Sequence, residues 1–143
     1  MQQLIASLFV QAFDNAWLAA LEDQARIPLA ELTGSGDQLA FSTDSYVIDP
    51  LFFPGGDIGK LAICGTANDV AVSGAIPRWL SCGFILEEGL PFETLERVVT
   101  SMAHAAREAN IAIVTGDTKV VPRGAADKLF INTTGIGAIP LCA

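Results

Sequence analysis

From residue 92 to residue 109 apolar side chains recur at helical spacing: Leu95, Val98, Val99, Met102, Ala106 and Ala109 form one stripe, with Pro91 near its start and Asn110 just past its end. Strand patterns bracket this helix. Residues 79–86 alternate, with Leu80, Cys82, Phe84 and Leu86 on one face. Residues 111–114 are a short apolar run that opens into Thr115, Gly116, Asp117 and Thr118. A strand, a long amphipathic helix and a second strand in direct succession point to a domain that mixes both kinds of element.

The flanking segments fit the same class. Leu4, Ile5, Leu8, Phe9, Ala12 and Phe13 lie on one helical stripe that begins almost at Met1. Gly34, Ser35, Gly36 and Asp37 form a turn cluster, and residues 38–48 then read as a strand interrupted by Asp44. Residues 51–56 read as a loop stiffened by Pro54, and Asp57 can cap a helix over residues 58–73. Gly65 inside that helix costs about 1 kcal/mol relative to alanine, which predicts close approach of another group to its backbone. With residues 129–139 as a last strand, the order helix, strand, helix, strand, helix, strand, strand predicts one α/β or α+β domain over the 143 residues.

Charge narrows the function classes. Eight Lys and Arg against sixteen Asp and Glu give a net charge of −8, which repels nucleic-acid backbones and anionic membrane surfaces. Charged residues are 17% of the chain and hydrophobic ones 51%, a balance that favours a packed core over disorder. No window of about 18 apolar residues and no signal peptide is present, so a cytoplasmic address is the expectation. Cys64, Cys82 and Cys142 are odd in number and lack CxxC spacing, which disfavours both a disulfide framework and a zinc site. The sequon at Asn132 carries no weight without a secreted context.

The glycine loop Gly55, Gly56, Asp57, Ile58, Gly59, Lys60 fails as a P-loop, because Pro54 stands where the first glycine belongs and Leu61 where Ser or Thr should follow the lysine. More informative are three aspartates in costly places: Asp44 inside a strand pattern, Asp69 in a helix of small and apolar residues, and Asp117 directly after an apolar strand. Taken singly, each reads as a cap or turn residue. Should they converge, they would make an oxygen-rich site suited to Mg²⁺ with phosphate ligands, and Lys119 could supply charge to a phosphate.

Other polar and aromatic residues have plainer readings. His104, opposite the apolar stripe of its helix, is expected in solvent; Cys64 and Cys82 as small core residues; Glu87 and Glu88 as a solvated turn. Trp17 and Trp79 read as packing anchors and Arg78 as a surface residue.

Four segments carry a resemblance: Ser-Thr-Asp-Ser-Tyr-Val-Ile at residues 42–48, Pro-Leu-Phe-Phe-Pro-Gly-Gly-Asp-Ile-Gly-Lys at 50–60, Gly-Thr-Ala-Asn-Asp-Val-Ala at 65–71, and Thr-Gly-Asp-Thr-Lys-Val-Val at 115–121. Together they resemble the hydrogenase maturation factor HypE family, within the superfamily of aminoimidazole ribonucleotide synthetase. The resemblance implies an N-terminal ATP-binding α/β domain, with a mixed sheet whose strands pair across a homodimer, and a C-terminal domain lying outside this chain. The family's glycine-rich segment is expected upstream of Met1, and its acceptor cysteine beyond Ala143, so Cys142 reads as coincidental.

The chemistry implied is ATP-dependent dehydration of a cysteine-bound carboxamide to a thiocyanate. HypF would be the carbamoyl donor, and HypC and HypD the scaffold receiving cyanide for the active-site iron of [NiFe] hydrogenase. By resemblance Asp44, Asp69 and Asp117 correspond to metal positions, Asp69 and Lys119 to catalytic ones, and Asn68, Thr66, Gly65, Thr118 and Lys60 to nucleotide-associated ones. Two alternatives stay open: a dimerising or partner-docking module without chemistry, and a related synthetase or kinase. A homodimer also has a physical motive, since residues 39–48 or 129–139 would otherwise expose an unpaired sheet edge.

Overall fold

The computed structural model describes residues 2–15, 18, 24–34 and 36–141; Trp17 and Cys142 lie outside them. The elements are α1 (Gln2–Phe13), α2 (Leu29–Thr33), β1 (Gly36–Tyr46), β2 (Phe52–Phe53), β3 (Gly56–Asp57), α3 (Ile58–Ala71), β4 (Ile76–Glu87), α4 (Phe92–Glu108), β5 (Ala112–Val121) and β6 (Leu129–Pro140). Four of the strands make one mixed sheet in the order β1-β6-β4-β5, antiparallel except for the parallel β4–β5 pair.

Helices α1, α3 and α4 lie on one face of that sheet. Helix α3 crosses β1 and β6, α4 packs beside α3, and α1 packs on α4 with the Phe9 ring stacked 4.9 Å from that of Phe84. Leu80, Cys82, Phe84 and Leu86 point into this layer, as their alternation requires, and meet Ile63, Val98, Val99 and Met102. Asp57 caps α3 by accepting from the Lys60 backbone N–H at 2.8 Å, and its same oxygen accepts from the Ser101 hydroxyl at 3.0 Å, tying the start of α3 to α4. On the opposite face Leu39, Phe41 (71% exposed) and Ile85 stand exposed, whereas Trp79, in the register row of Phe41, is buried; α2 packs against β1 and β6.

Three sequence expectations need correction. The strand expected to end at residue 114 and open into Thr115–Thr118 runs on to Val121: a bulge between Leu80 and Ser81 passes over Val114, after which Ser81–Glu87 pair with Thr115–Val121 in parallel register. The loop at residues 51–56 holds the two-residue strand β2 and the first residue of its partner β3, which ends at Asp57. Residues 129–139, offered as a possible exposed edge, form the interior strand β6, and among the described residues the sheet's edges are β1 and β5.

Candidate functional site

Tyr46, the last residue of β1, leans against α3 at Gly65, where an added Cβ would overlap the phenol oxygen and stand 3.2 Å from two ring carbons. This is the close approach that the glycine foretold. The phenol begins a chain of buried hydroxyls: Tyr46 Oη to Thr66 Oγ1 at 3.0 Å, Thr66 Oγ1 to Thr133 Oγ1 at 2.6 Å, and Thr133 Oγ1 donating to the Ala62 carbonyl at 2.8 Å. Thr66 and Thr133 are 0% exposed. Burial raises the Tyr46 pKa above its ordinary value, and the nearby charges of Asp44 and Asp69 push the same way, so the phenol keeps its proton.

Asp44 and Asp69 flank this tyrosine. Asp44 stands two residues before Tyr46 on the same strand face, opposite the inward-facing Thr133. Asp69 lies one helical turn beyond Gly65 on α3, with Asn68 beside it. All three side chains are exposed. One Asp44 oxygen accepts from the Ser45 backbone N–H at 2.8 Å, leaving the other for a ligand.

Asp117 does not join them within the chain. It shares a register row with Gly83, Asn132 and Ser45, whose side chains point to the open face, whereas Asp44 belongs to the row of Thr133 and Cys82 on the helix face. Strand β5 is three strands from β1, about 14 Å at a spacing of about 4.8 Å. Among the described residues no three acidic, histidine or cysteine side chains gather. Convergence of the three aspartates in one subunit is therefore corrected, and strand parity is the reason.

Lys119 stays with Asp117, its Nζ 3.9 Å from Asp117 Oδ2 and both side chains in solvent. Thr118, between them, alternates to the helix face beside α1 and is parted from both. Thr66 and Gly65 are also corrected as nucleotide contacts: the hydroxyl is committed to the buried chain, and the glycine backbone is covered by Tyr46. Lys60 is exposed at the start of α3.

The plainer readings mostly stand. His104 is exposed and bonded to Glu108 at 2.8 Å. Burial pushes the Cys82 thiol far up and keeps it unreactive. Trp79 is buried, with the Arg78 guanidinium 4.4 Å from its ring centre. Glu87 does more than solvate a turn: its two oxygens accept from the backbone N–H groups of Gly124 at 2.8 Å and Lys128 at 3.2 Å, which holds the carboxyl below its ordinary range.

The profile of the family described as AIR synthase related protein, N-terminal domain, matches residues 21–139. The chain belongs to that family. As an AIR synthase related N-terminal domain it is 81% identical over 140 residues to the carbamoyl dehydratase HypE of Escherichia coli K12, covering 98% of this chain and 42% of that protein. The E. coli HypE crystal structure superposes with a TM-score of 0.96. A hydrogenase maturation protein HypE solved in complex with ATP is 63% identical with a TM-score of 0.90, covering 98% of this chain and 40% of that one. HypE in a HypE-HypF complex is 52% identical with a TM-score of 0.70, covering 95% and 42%. The chain thus spans about two fifths of the length of the proteins it matches.

In this AIR synthase related domain the donor set suits Mg²⁺. Asp44 and Asp69 offer hard, exposed carboxylate oxygens, and Mg²⁺ is usually held by one or two carboxylates together with substrate phosphates and water, not by a closed protein cage. Two carboxylates in one subunit are therefore enough to begin such a site.

Proposed function

We propose that this chain is the Mg-ATP-binding and dimerising half of a HypE-like carbamoyl dehydratase. The observation that carries the reading is 81% identity to the E. coli enzyme across nearly the whole chain, and the ATP complex of a 63% identical HypE supports the nucleotide. In the reading, ATP activates a carboxamide on a C-terminal cysteine supplied by another part of the protein, and loss of that oxygen leaves a thiocyanate. HypF is the proposed carbamoyl donor, supported by the HypE-HypF complex, with HypC and HypD as downstream scaffold. The address in this reading is the cytoplasm, where Cys64 and Cys82 would stay reduced, as free thiols. No described helix is long and apolar enough to cross a membrane.

Asp44 and Asp69 would hold the metal, with the Asn68 amide turned to the nucleotide, and Lys119 would bring positive charge to phosphoryl oxygens while Asp117 keeps it in place. When bound, Mg²⁺ offsets triphosphate charge and polarises the phosphoryl group being attacked. Asp117 and Lys119 face the open side of the sheet, the same side as Phe41 and Leu39. The surface that a second copy would cover therefore also carries this second group of charges, and a homodimer is proposed to complete the site.

Substitution tests the reading. In the full-length protein Asp69→Ala is expected to abolish ATP turnover and leave the circular dichroism spectrum intact; unchanged turnover removes Asp69 from the site.

A further inference from the structure

The hydroxyl chain below Tyr46 has a direction. Thr133 donates to the Ala62 carbonyl, so its single proton is spent there and it can only accept from Thr66. Thr66 has then spent its proton on Thr133 and can only accept from Tyr46. The phenol proton is thereby turned inward, onto Thr66.

What the Tyr46 oxygen can still offer is a lone pair. Asp44, two residues before it on the same strand face, and Asp69, one helical turn beyond the Gly65 that the phenol covers, are acceptors as well. The glycine at 65 lets the phenol approach α3 closely enough to reach Thr66, and no alanine would allow that. Three acceptors with no donor among them suit a group that brings its own hydrogens and positive charge, and they disfavour an uncomplexed phosphate.

We infer that Tyr46 is a positioning residue for the hydrated Mg²⁺ of the proposed site: locked by Thr66 and Thr133 as an acceptor, its phenol oxygen receives a hydrogen bond from water on the cation held by Asp44 and Asp69. The inference rests on the nucleotide-site reading above. It assigns Thr66 and Thr133 a purpose as well, since a valine at either position would pack in the same volume without setting the direction of the phenol proton.

Mn²⁺ as a paramagnetic stand-in tests this, with binding to the chain in the presence of ATP read by electron paramagnetic resonance. Tyr46→Phe removes the acceptor, and Thr66→Val frees the phenol to donate to a carboxylate and compete with the cation. Each is expected to weaken Mn²⁺ binding about three- to tenfold, the value of one hydrogen bond. The double variant should lose no more than either alone, and Thr66→Ser, which keeps the relay, should bind like the unsubstituted chain. Should Thr66→Val fail to fold, Tyr46→Phe, which leaves the ring and the Thr66–Thr133 bond in place, carries the test with Thr66→Ser. A merely structural network would lower the melting temperature and leave Mn²⁺ affinity untouched, which overturns the inference. Absence of Mn²⁺ binding by the unsubstituted chain instead removes the site itself.

Discussion

The Tyr46 phenol lies directly over the Gly65 backbone, its ring carbons 3.2 Å from where a Cβ would stand and its oxygen closer still. The tyrosine cannot retreat without giving up its 3.0 Å bond to Thr66. Alanine at residue 65 gains about 1 kcal/mol of helix propensity, against about 1–3 kcal/mol for overpacking. Gly65→Ala is therefore expected to destabilise the chain by about 1 kcal/mol in urea unfolding. With Tyr46→Ala already in place, the same change should be neutral or stabilising. A loss that ignores residue 46 would contradict the packing account.

Gly59 meets a harder obstacle. A Cβ there would stand 2.5 Å from the Val98 carbonyl oxygen and 2.8 Å from Met102 Cγ, where α3 crosses α4. Because the nearer atom is helix backbone, Gly59→Ala is expected to cost about 2–3 kcal/mol, more than Gly65→Ala. Equal midpoints for the two variants in the same urea series would show that the helices separate easily.

Much of this fold was legible in the sequence because its signals were local. The stripe of α4, the alternation of β4 and the Asp57 cap each depend on residues within a few positions of one another. The continuation of β5 past residue 114 was not legible because Thr-Gly-Asp-Thr has little strand character of its own, and the pairing that makes it strand comes from β4, more than thirty residues earlier. The aspartates misled for a related reason. Whether Asp117 and Asp44 share a face depends on a bulge at Leu80 and on a four-strand register that no spacing reveals. A signal for the hydroxyl chain was available: Thr66 falls among Ile63, Ala67 and Val70 on the buried face of α3, and Thr133 alternates with Ile131 on the buried face of β6. Two polar residues on facing apolar surfaces require partners, and each is the other's.

Glu87 makes stability depend on acid. Its carboxyl, held by two backbone N–H groups, titrates below the ordinary value of 4.5 in the folded chain. A depressed carboxyl stabilises the fold above its unfolded value and loses that contribution as pH falls through the folded one. The melting temperature should therefore drop as pH falls below about 4.5, the unfolded value, and continue to drop through the lower folded value. Glu87→Gln should flatten this part of the profile, and an unaltered slope would show that the clasp on Gly124 and Lys128 does not form in solution.

Phe41 reports on the open face of the sheet. At 71% exposed, this large apolar side chain is one that a second copy would gain from covering. Light scattering is expected to find a dimer for the unsubstituted chain and a monomer for Phe41→Asp at micromolar concentration. A monomer before substitution contradicts the proposed assembly.

Calorimetric titration with ATP in the presence of Mg²⁺ bears most directly on the nucleotide assignment. Saturable binding of one nucleotide per subunit is expected, lost in both Asp44→Ala and Asp69→Ala while the folded state persists. Binding that survives both substitutions, or no heat from the unsubstituted chain, would contradict the account.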